Sequence, residues 1–385
     1  MNHDGESPIN VFVPFYRTEE VLEEIRECLE KSWTGLGFKT LQFEEAWKEY
    51  TGLPNAHFVS SATAGLHMAV ALLKKSRGWG DGAEVITTPI TFVSTNHVIL
   101  YENLKPVFAD VDSTLCLDPM SVEKKITVST RAVMFVGYGG SSGSLDEIRE
   151  ICRNRNLALI LDAAHMAGTR IGGRHAGYGV DVVVFSFHSV KNLPTADGGM
   201  ICFADKDLDA ETRKGSWLGI NKDTFSRMRD AGTYKWLYDV EFTGWKYHGN
   251  SIMAAMGLVG LRHLDQDNAY RRQLASWYDG LLGVQKEVGL VPVPLGCEIS
   301  RHLYPIQVDA RDELMVFLNT ANIFPGVHYR INTDYRMYDY AKGSCPNAEK
   351  ASRSLISLPL HLKMTRADVE RVAYWIRRFF SRRAS

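Results

Sequence analysis

The chain has 385 residues, of which 45% are hydrophobic and 23% charged, with a formal net charge of −1. This is enough for one large and one small domain, and it is the composition of an ordinary globular protein. The balanced charge argues against nucleic acid or an anionic membrane as partner, and no apolar run approaches the length of a membrane-spanning helix.

The N-terminus, M-N-H-D-G-E-S-P, has neither a basic nor an apolar leader region, so no signal peptide is expected. The six cysteines are scattered without a C-x-x-C pair. Neither a zinc site nor a disulfide framework is expected, and a reducing cytoplasm fits the chain.

Glu19 to Ser32 carries Val21, Leu22, Ile25 and Leu29 at helical spacing and predicts an amphipathic helix. W-T-G-L-G-F-K-T, Trp33 to Thr40, reads as a glycine-bearing loop, and Phe43 to Tyr50 as a second helix. Phe58 and Val59 predict a short strand, Ser60 to Thr63 a small polar turn and Ala64 to Leu73 a helix. Strand, polar turn and helix present backbone N–H groups to a phosphate, although a turn of this kind alone is more often an ordinary helix cap.

Glu84 to Thr88, Pro106 to Val111 and Arg131 to Val136 predict strands, with Phe92 just past the first and Leu145 to Arg155 a helix. Asp205 to Tyr247 reads as irregular and partly interfacial. W-K-Y-H-G-N-S-I-M-A-A-M-G-L then begins a long helix reaching about Leu282. Arg301 to Val308 predicts a strand, Arg311 to Ala321 a helix, Val327 to Tyr329 a short strand and Arg366 to Arg378 a final helix. The alternation predicts an α/β fold with a mostly parallel sheet between helices, in residues 1–250, and a smaller C-terminal α/β domain in 251–385. Ligands in such sheets sit beyond the carboxyl ends of the strands, where Thr63, Phe92, Asp162 and Ser186 fall.

Two runs carry the chemistry. L-A-L-I-L-D-A-A-H-M-A-G-T is an apolar strand ending in Asp162, with His165 shortly after. V-V-V-F-S-F-H-S-V-K-N-L-P-T-A-D-G-G-M opens as a buried strand and sets Lys191 among apolar and small residues. Burial disfavours the charged form of a lysine, and a neutral amine attacks carbonyls, so a Schiff base is the evident use. A carboxylate ending a buried strand needs a cation, and a pyridinium nitrogen would serve. Lysine and acidic partner together form the pyridoxal phosphate pattern. Taken singly, a loop lysine and a helix-capping aspartate are commonplace.

D-A-A-H-M-A-G-T and S-F-H-S-V-K-N-L-P-T-A-D-G-G resemble the two signature segments of the DegT/DnrJ/EryC1/StrS family, and the likeness runs from about Pro14 to the C-terminus. The resemblance implies a fold-type I pyridoxal 5'-phosphate aminotransferase. Glutamate or glutamine would donate an amino group to a keto group of a nucleotide-linked sugar, in a homodimer with shared active sites. Lys191 would hold the cofactor and move the proton, Asp162 would face the ring nitrogen and His165 the ring hydroxyl. Ala62, Thr63 and Ser186 would cup the phosphate, and Phe92 would stack on the ring. His248 by alignment, or Asn250 by chemical likeness, would reach the partner's cofactor phosphate. The Trp33 to Thr40 loop would lie near the neighbouring subunit's site, and His188, His328 and Tyr329 would meet substrate.

The chain departs from the family pattern at Gly137 (usually histidine), Ser142 (usually proline), His248, Ile331 and Thr333, which points to an unusual acceptor. The alternatives are the same fold aminating a cyclitol or aminobenzoate precursor, and a sugar dehydratase. Some relatives that are dehydratases carry histidine in place of Lys191.

Overall fold

The computed structural model describes residues 7–222 and 238–384. The β-branched and aromatic apolar runs form a seven-stranded sheet. Its spatial order is His57–Val59, Gly199–Phe203, Val182–Ser186, Ala158–Asp162, Thr130–Val136, Glu84–Thr87 and Lys105–Phe108. Gly199–Phe203 runs antiparallel to both neighbours, and the remaining pairings are parallel. The central strands Ala158–Asp162 and Val182–Ser186 are buried along their whole length. Both faces are therefore covered, as uninterrupted apolar strands require. The register sets Asp162 opposite Val136 on one side and Val184 on the other, so the loops after these three strands open at one edge.

A second core surrounds the antiparallel strands Gly289–Leu290, Tyr304–Gln307 and Leu355–Leu358, packed by Val369, Val372 and Ile376 of the terminal helix. The helix Ser251–Leu282 spans both cores. Ala254 and Leu264 belong to the larger, and Leu274, Tyr278 and Leu282 to the smaller. Side chains from Ile331 to Leu355 also join the larger core.

Several expectations are corrected. The second helix begins at Phe38, so it takes up the end of the expected glycine loop. The long helix begins at Ser251, not at Trp245, because Asn250 caps it by accepting from Met253 N at 2.9 Å. The region 205–247, read as irregular, holds a helix at Lys206–Gly215, capped by Asp205. Residues 223–237 of that region lie outside the described residues. Val327 to Tyr329 is not a strand; the strand of that segment is Ile323–Phe324, and it pairs in parallel with Ile9–Asn10 near the start of the chain.

The strand leading into the Ser60–Thr63 turn is held by a buried ionic cluster. Glu44 accepts from Phe58 N at 2.8 Å and meets His57 Nδ1 at 3.0 Å and Arg213 Nη1 at 2.8 Å. One carboxylate thus joins the second helix, the edge strand and the Lys206–Gly215 helix. Burial pushes its carboxyl pKa up, but His57, Arg213 and the Phe58 amide outweigh burial and hold it at about 2. Removing one partner of a buried pair leaves the others uncompensated. Glu44→Gln should therefore cost about 3 kcal/mol in urea unfolding at neutral pH. The folded-state pKa is depressed, so this contribution is complete above the unfolded value of about 4.3 and is lost as pH falls towards about 2. The gap between parent and variant should narrow over that window; a gap independent of pH would contradict the assignment.

Candidate active site

A cavity of about 340 Å³ opens at the carboxyl ends of the central strands, and Asp162, His165, Ser186 and Lys191 all line it. Asp162 is 4% exposed. Its Oδ2 accepts from Thr95 Oγ1 at 2.7 Å and its Oδ1 from Ala164 N at 3.1 Å. Burial raises its pKa, offset in part by these two donors and by the charge of Lys191. Lys191 follows a tight loop closed by Phe187 N to Gly198 O at 2.9 Å and Thr195 N to Phe187 O at 2.8 Å. Burial lowers its pKa to about 8, with Asp162 acting in the opposite direction. At neutral to mildly basic pH a useful fraction of the amine is therefore free base, the form that attacks carbonyls.

Opposite these groups lies the N-terminus of the helix Ala62–Arg77. Ser61 caps it, its Oγ accepting from Ala64 N at 3.1 Å, and Ser61, Ala62 and Thr63 line the cavity. The helix reaches this depth because Gly199 lies beneath it. A Cβ there would stand 2.7 Å from Ala62 N and 2.8 Å from Ser61 C. A helix N-terminus with its unpaired amides and positive dipole end favours an anionic group.

His165 Nδ1 accepts from Gly139 N at 3.2 Å, so its proton sits on Nε2 and is donated to Tyr329 OH at 3.1 Å. Burial, then Lys191 and His328, holds the His165 pKa well below the usual histidine range. Burial likewise raises the Tyr329 hydroxyl, with Asp162 adding to it. Both rings are neutral. His328 Nδ1 meets Ser357 Oγ at 3.0 Å, and its backbone oxygen accepts from Tyr138 OH. His188 sits exposed at the rim, and Phe92, 57% exposed, stands at the mouth with its ring 6.0 Å from Tyr329.

The cavity therefore brings together Ala62, Thr63, Phe92, Asp162, His165, Ser186, His188, Lys191, His328 and Tyr329. His248 and Asn250 do not line it. His248 packs its ring 4.5 Å from Trp217, and Asn250 caps the long helix.

The departures noted in the sequence fall beside the cavity, not in it, so they do not reshape its wall within this chain. A Cβ at Gly137 would collide with Met166, a buried side chain that fills the space a larger residue would take. Ser142, Ile331 and Thr333 are buried. Ile331 and Thr333 flank Asn332, whose Nδ2 donates to Thr91 O at 2.8 Å and whose Oδ1 accepts from Asn96 Nδ2 at 2.9 Å.

Sequence reasoning missed Thr95, His302 and Phe12. Thr95 lies on the helix Val93–Tyr101, and its contact with Asp162 spans 67 residues of chain, with no local signal. Phe12 comes from the N-terminal segment and stacks on His302, with ring centroids 5.2 Å apart. For His302 there was a signal: a histidine inside the run H-L-Y-P-I-Q-V, which is costly to bury without a partner.

SpsC, a spore coat polysaccharide biosynthesis protein of Bacillus subtilis (strain 168), is 35% identical over 386 residues, spanning 96% of this chain and 97% of its own. The aminotransferase TlmJ from Streptoalloteichus hindustanus superposes with a TM-score of 0.90 at 32% identity, over 97% of this chain and 99% of that one. A Streptococcus pneumoniae protein assigned as a sugar aminotransferase, solved in PMP and PLP forms, is 26% identical in the first with a TM-score of 0.86, over 94% of this chain and 97% of that one. Residues 16–377 match the DegT/DnrJ/EryC1/StrS aminotransferase family, and this chain belongs to that family of pyridoxal phosphate-dependent sugar aminotransferases.

Proposed function

We propose that this enzyme binds pyridoxal 5'-phosphate through Lys191 and moves an amino group from glutamate or glutamine to a keto group of a nucleotide-linked sugar. The observation that carries the reading is the meeting of Lys191 and Asp162 in one cavity closed by a helix N-terminus. The residues fit the cofactor. The buried Asp162 carboxylate, raised by burial and held only in part by Thr95 and Ala164, suits a pyridinium nitrogen. Ser61, Ala62, Thr63 and Ser186 suit a phosphate, and the exposed face of Phe92 suits a ring. The PLP and PMP forms of the pneumococcal neighbour support the same choice.

When bound, the cofactor supplies an electron sink for negative charge developing on a substrate carbon. Asp162 would hold the proton on the ring nitrogen by a charge-assisted hydrogen bond. Lys191 Nζ, basic near pH 8, would take the proton from the donor's α carbon and return it to the cofactor's C4′ carbon, then reverse these steps for the acceptor. His165 and Tyr329, both neutral and joined by a hydrogen bond, would offer donors to the ring hydroxyl and to substrate. His188 and His328 would meet substrate at the rim and at the wall. The polysaccharide role named for SpsC and the sugar aminotransferase assignment of the pneumococcal protein support a sugar acceptor.

Lys191→Ala should abolish amino transfer, and borohydride treatment of the parent should fix the cofactor on Lys191. Asp162→Asn should keep the cofactor yet slow the donor half-reaction by about 100-fold or more, the usual cost of removing one preorganised electrostatic partner. A half-reaction at the parent rate in either variant would refute the assignment; asparagine is as good a turn cap as aspartate, so a purely structural Asp162 predicts little change.

The same reading includes a homodimer in which His248 or Asn250 reaches the partner subunit's cofactor phosphate, since neither side chain lines the cavity of its own chain. Mixing a Lys191→Ala chain with one altered at both His248 and Asn250 should restore activity in part. No restoration, or a fully active monomer, would contradict a shared site.

A further inference from the structure

The buried imidazole of His302 faces the amine of Lys191, with Nε2 to Nζ at 3.4 Å. Which of the two donates follows from acceptors further along the chain. Asn268 Nδ2 donates to Ala167 O at 2.9 Å, and a backbone carbonyl can only accept, so Asn268 turns its Oδ1 towards Asn192. Asn192 Nδ2 donates to that Oδ1 and to Ser300 O, both at 2.7 Å, so Asn192 turns its own Oδ1 towards His302. His302 Nδ1, 3.1 Å from an oxygen without a proton, must carry the hydrogen. A neutral ring protonated on Nδ1 leaves a lone pair on Nε2, and that lone pair faces Lys191.

The ring has no freedom to turn away. Phe12 stacks on it at 8°. Its backbone N–H donates to Gly139 O at 3.0 Å, and the neighbouring Ser300 Oγ donates to His165 O at 2.6 Å. Burial, then the charges of Lys191, His165, Arg271 and His328, holds its pKa well below the usual histidine range, so it stays neutral.

We propose that His302 is a positioning residue that accepts a hydrogen bond from Lys191 Nζ whenever that amine is not covalently engaged. Two backbone carbonyls, Ala167 O and Ser300 O, set its tautomer through the two asparagines. The proposal rests on the reading of Lys191 as the reactive amine. With the amine so held, one N–H points at His302. The nitrogen stays at the cavity wall between His302 and the Asp162 carboxylate instead of swinging into solvent.

The test uses the apoprotein, so it does not depend on turnover. Lys191 is labelled with fluorodinitrobenzene in competition with a free amine across pH 6–11, and its modification is read by mass spectrometry. An acceptor stabilises the ammonium form. His302→Leu should therefore lower the labelling midpoint by about one pH unit, the order of effect of a lost charge-assisted hydrogen bond. His302→Gln, whose Oε1 takes the place of Nε2, should keep the midpoint near the parent's. Asp162, His165 and His328, the other titratable groups around the amine, are present throughout, and their contribution cancels between variants.

An unchanged midpoint in His302→Leu overturns the proposal. A parent Lys191 that labels like an ordinary exposed lysine overturns the reading of Lys191 itself, which is a distinguishable outcome. Should His302→Leu not fold, ring-nitrogen NMR of native apoprotein labelled with ¹⁵N-histidine decides, the His302 signals being those lost in His302→Gln. A neutral ring protonated on Nδ1 supports the proposal, and one protonated on Nε2 overturns it.

Discussion

The site depends on burying an amine and a carboxylate in one cavity without letting them neutralise each other by contact. Asp162 and Lys191 each influence the other's ionisation, yet each has its own hydrogen-bond partners, Thr95 and Ala164 for the acid and His302 for the base. A direct, closed salt bridge would satisfy both groups and leave neither for chemistry. The observed arrangement leaves the carboxylate short of a cation and the amine near the point of deprotonation. In a low-dielectric cavity such incomplete pairing is costly, and the cost is sustained by the packed sheet around it.

The sheet supplies that support through register. Asp162 ends a central strand whose neighbours end at Val136 and Ser186, so three loops diverge from one point. One loop carries Lys191, and another carries the Gly137–Gly140 segment that binds the backbone of His302 and the imidazole of His165. The C-terminal part of the chain is thereby tied to the floor of the site. Ser300 and Thr169, Asn332 and Thr91, and His328 and Tyr138 are each joined by a hydrogen bond across that boundary. Phe12, from the other end of the chain, covers the junction. The Glu44 cluster performs a similar office at the sheet edge, fixing the strand from which the Ser61 cap emerges.

The parts of this arrangement legible in the sequence were those encoded locally. The apolar strands before Asp162 and Lys191, the small polar turn before the helix Ala62–Arg77, and the terminal helix all announce themselves by periodicity or by residue type. Lys206–Gly215 did not: its sequence, K-D-L-D-A-E-T-R-K-G, is almost wholly polar, and it forms a helix through the Asp205 cap and its seat on the edge strand. Val327 to Tyr329 read as a strand because its residue types favour one, yet pairing went to Ile323–Phe324, where the N-terminal strand is available. His302, Thr95 and Phe12 were missed because their roles arise from contacts between distant parts of the chain. The same holds for the departures at Gly137 and Thr333. They looked like features of a substrate pocket in one dimension and proved to be packing positions, Gly137 against Met166 and Thr333 beside the Asn332 network.

The central claim is that Asp162 and Lys191 grip opposite ends of one ring system while the Ser61–Thr63 turn holds its phosphate. A crystal structure of the enzyme with pyridoxal phosphate bound tests this most directly. The account predicts continuous density from Lys191 Nζ, a ring nitrogen within about 3 Å of an Asp162 oxygen, and phosphate oxygens on the amides of Ala62 and Thr63. A cofactor joined to Lys191 but turned so that its nitrogen lies away from Asp162, or a phosphate seated away from that turn, would contradict it.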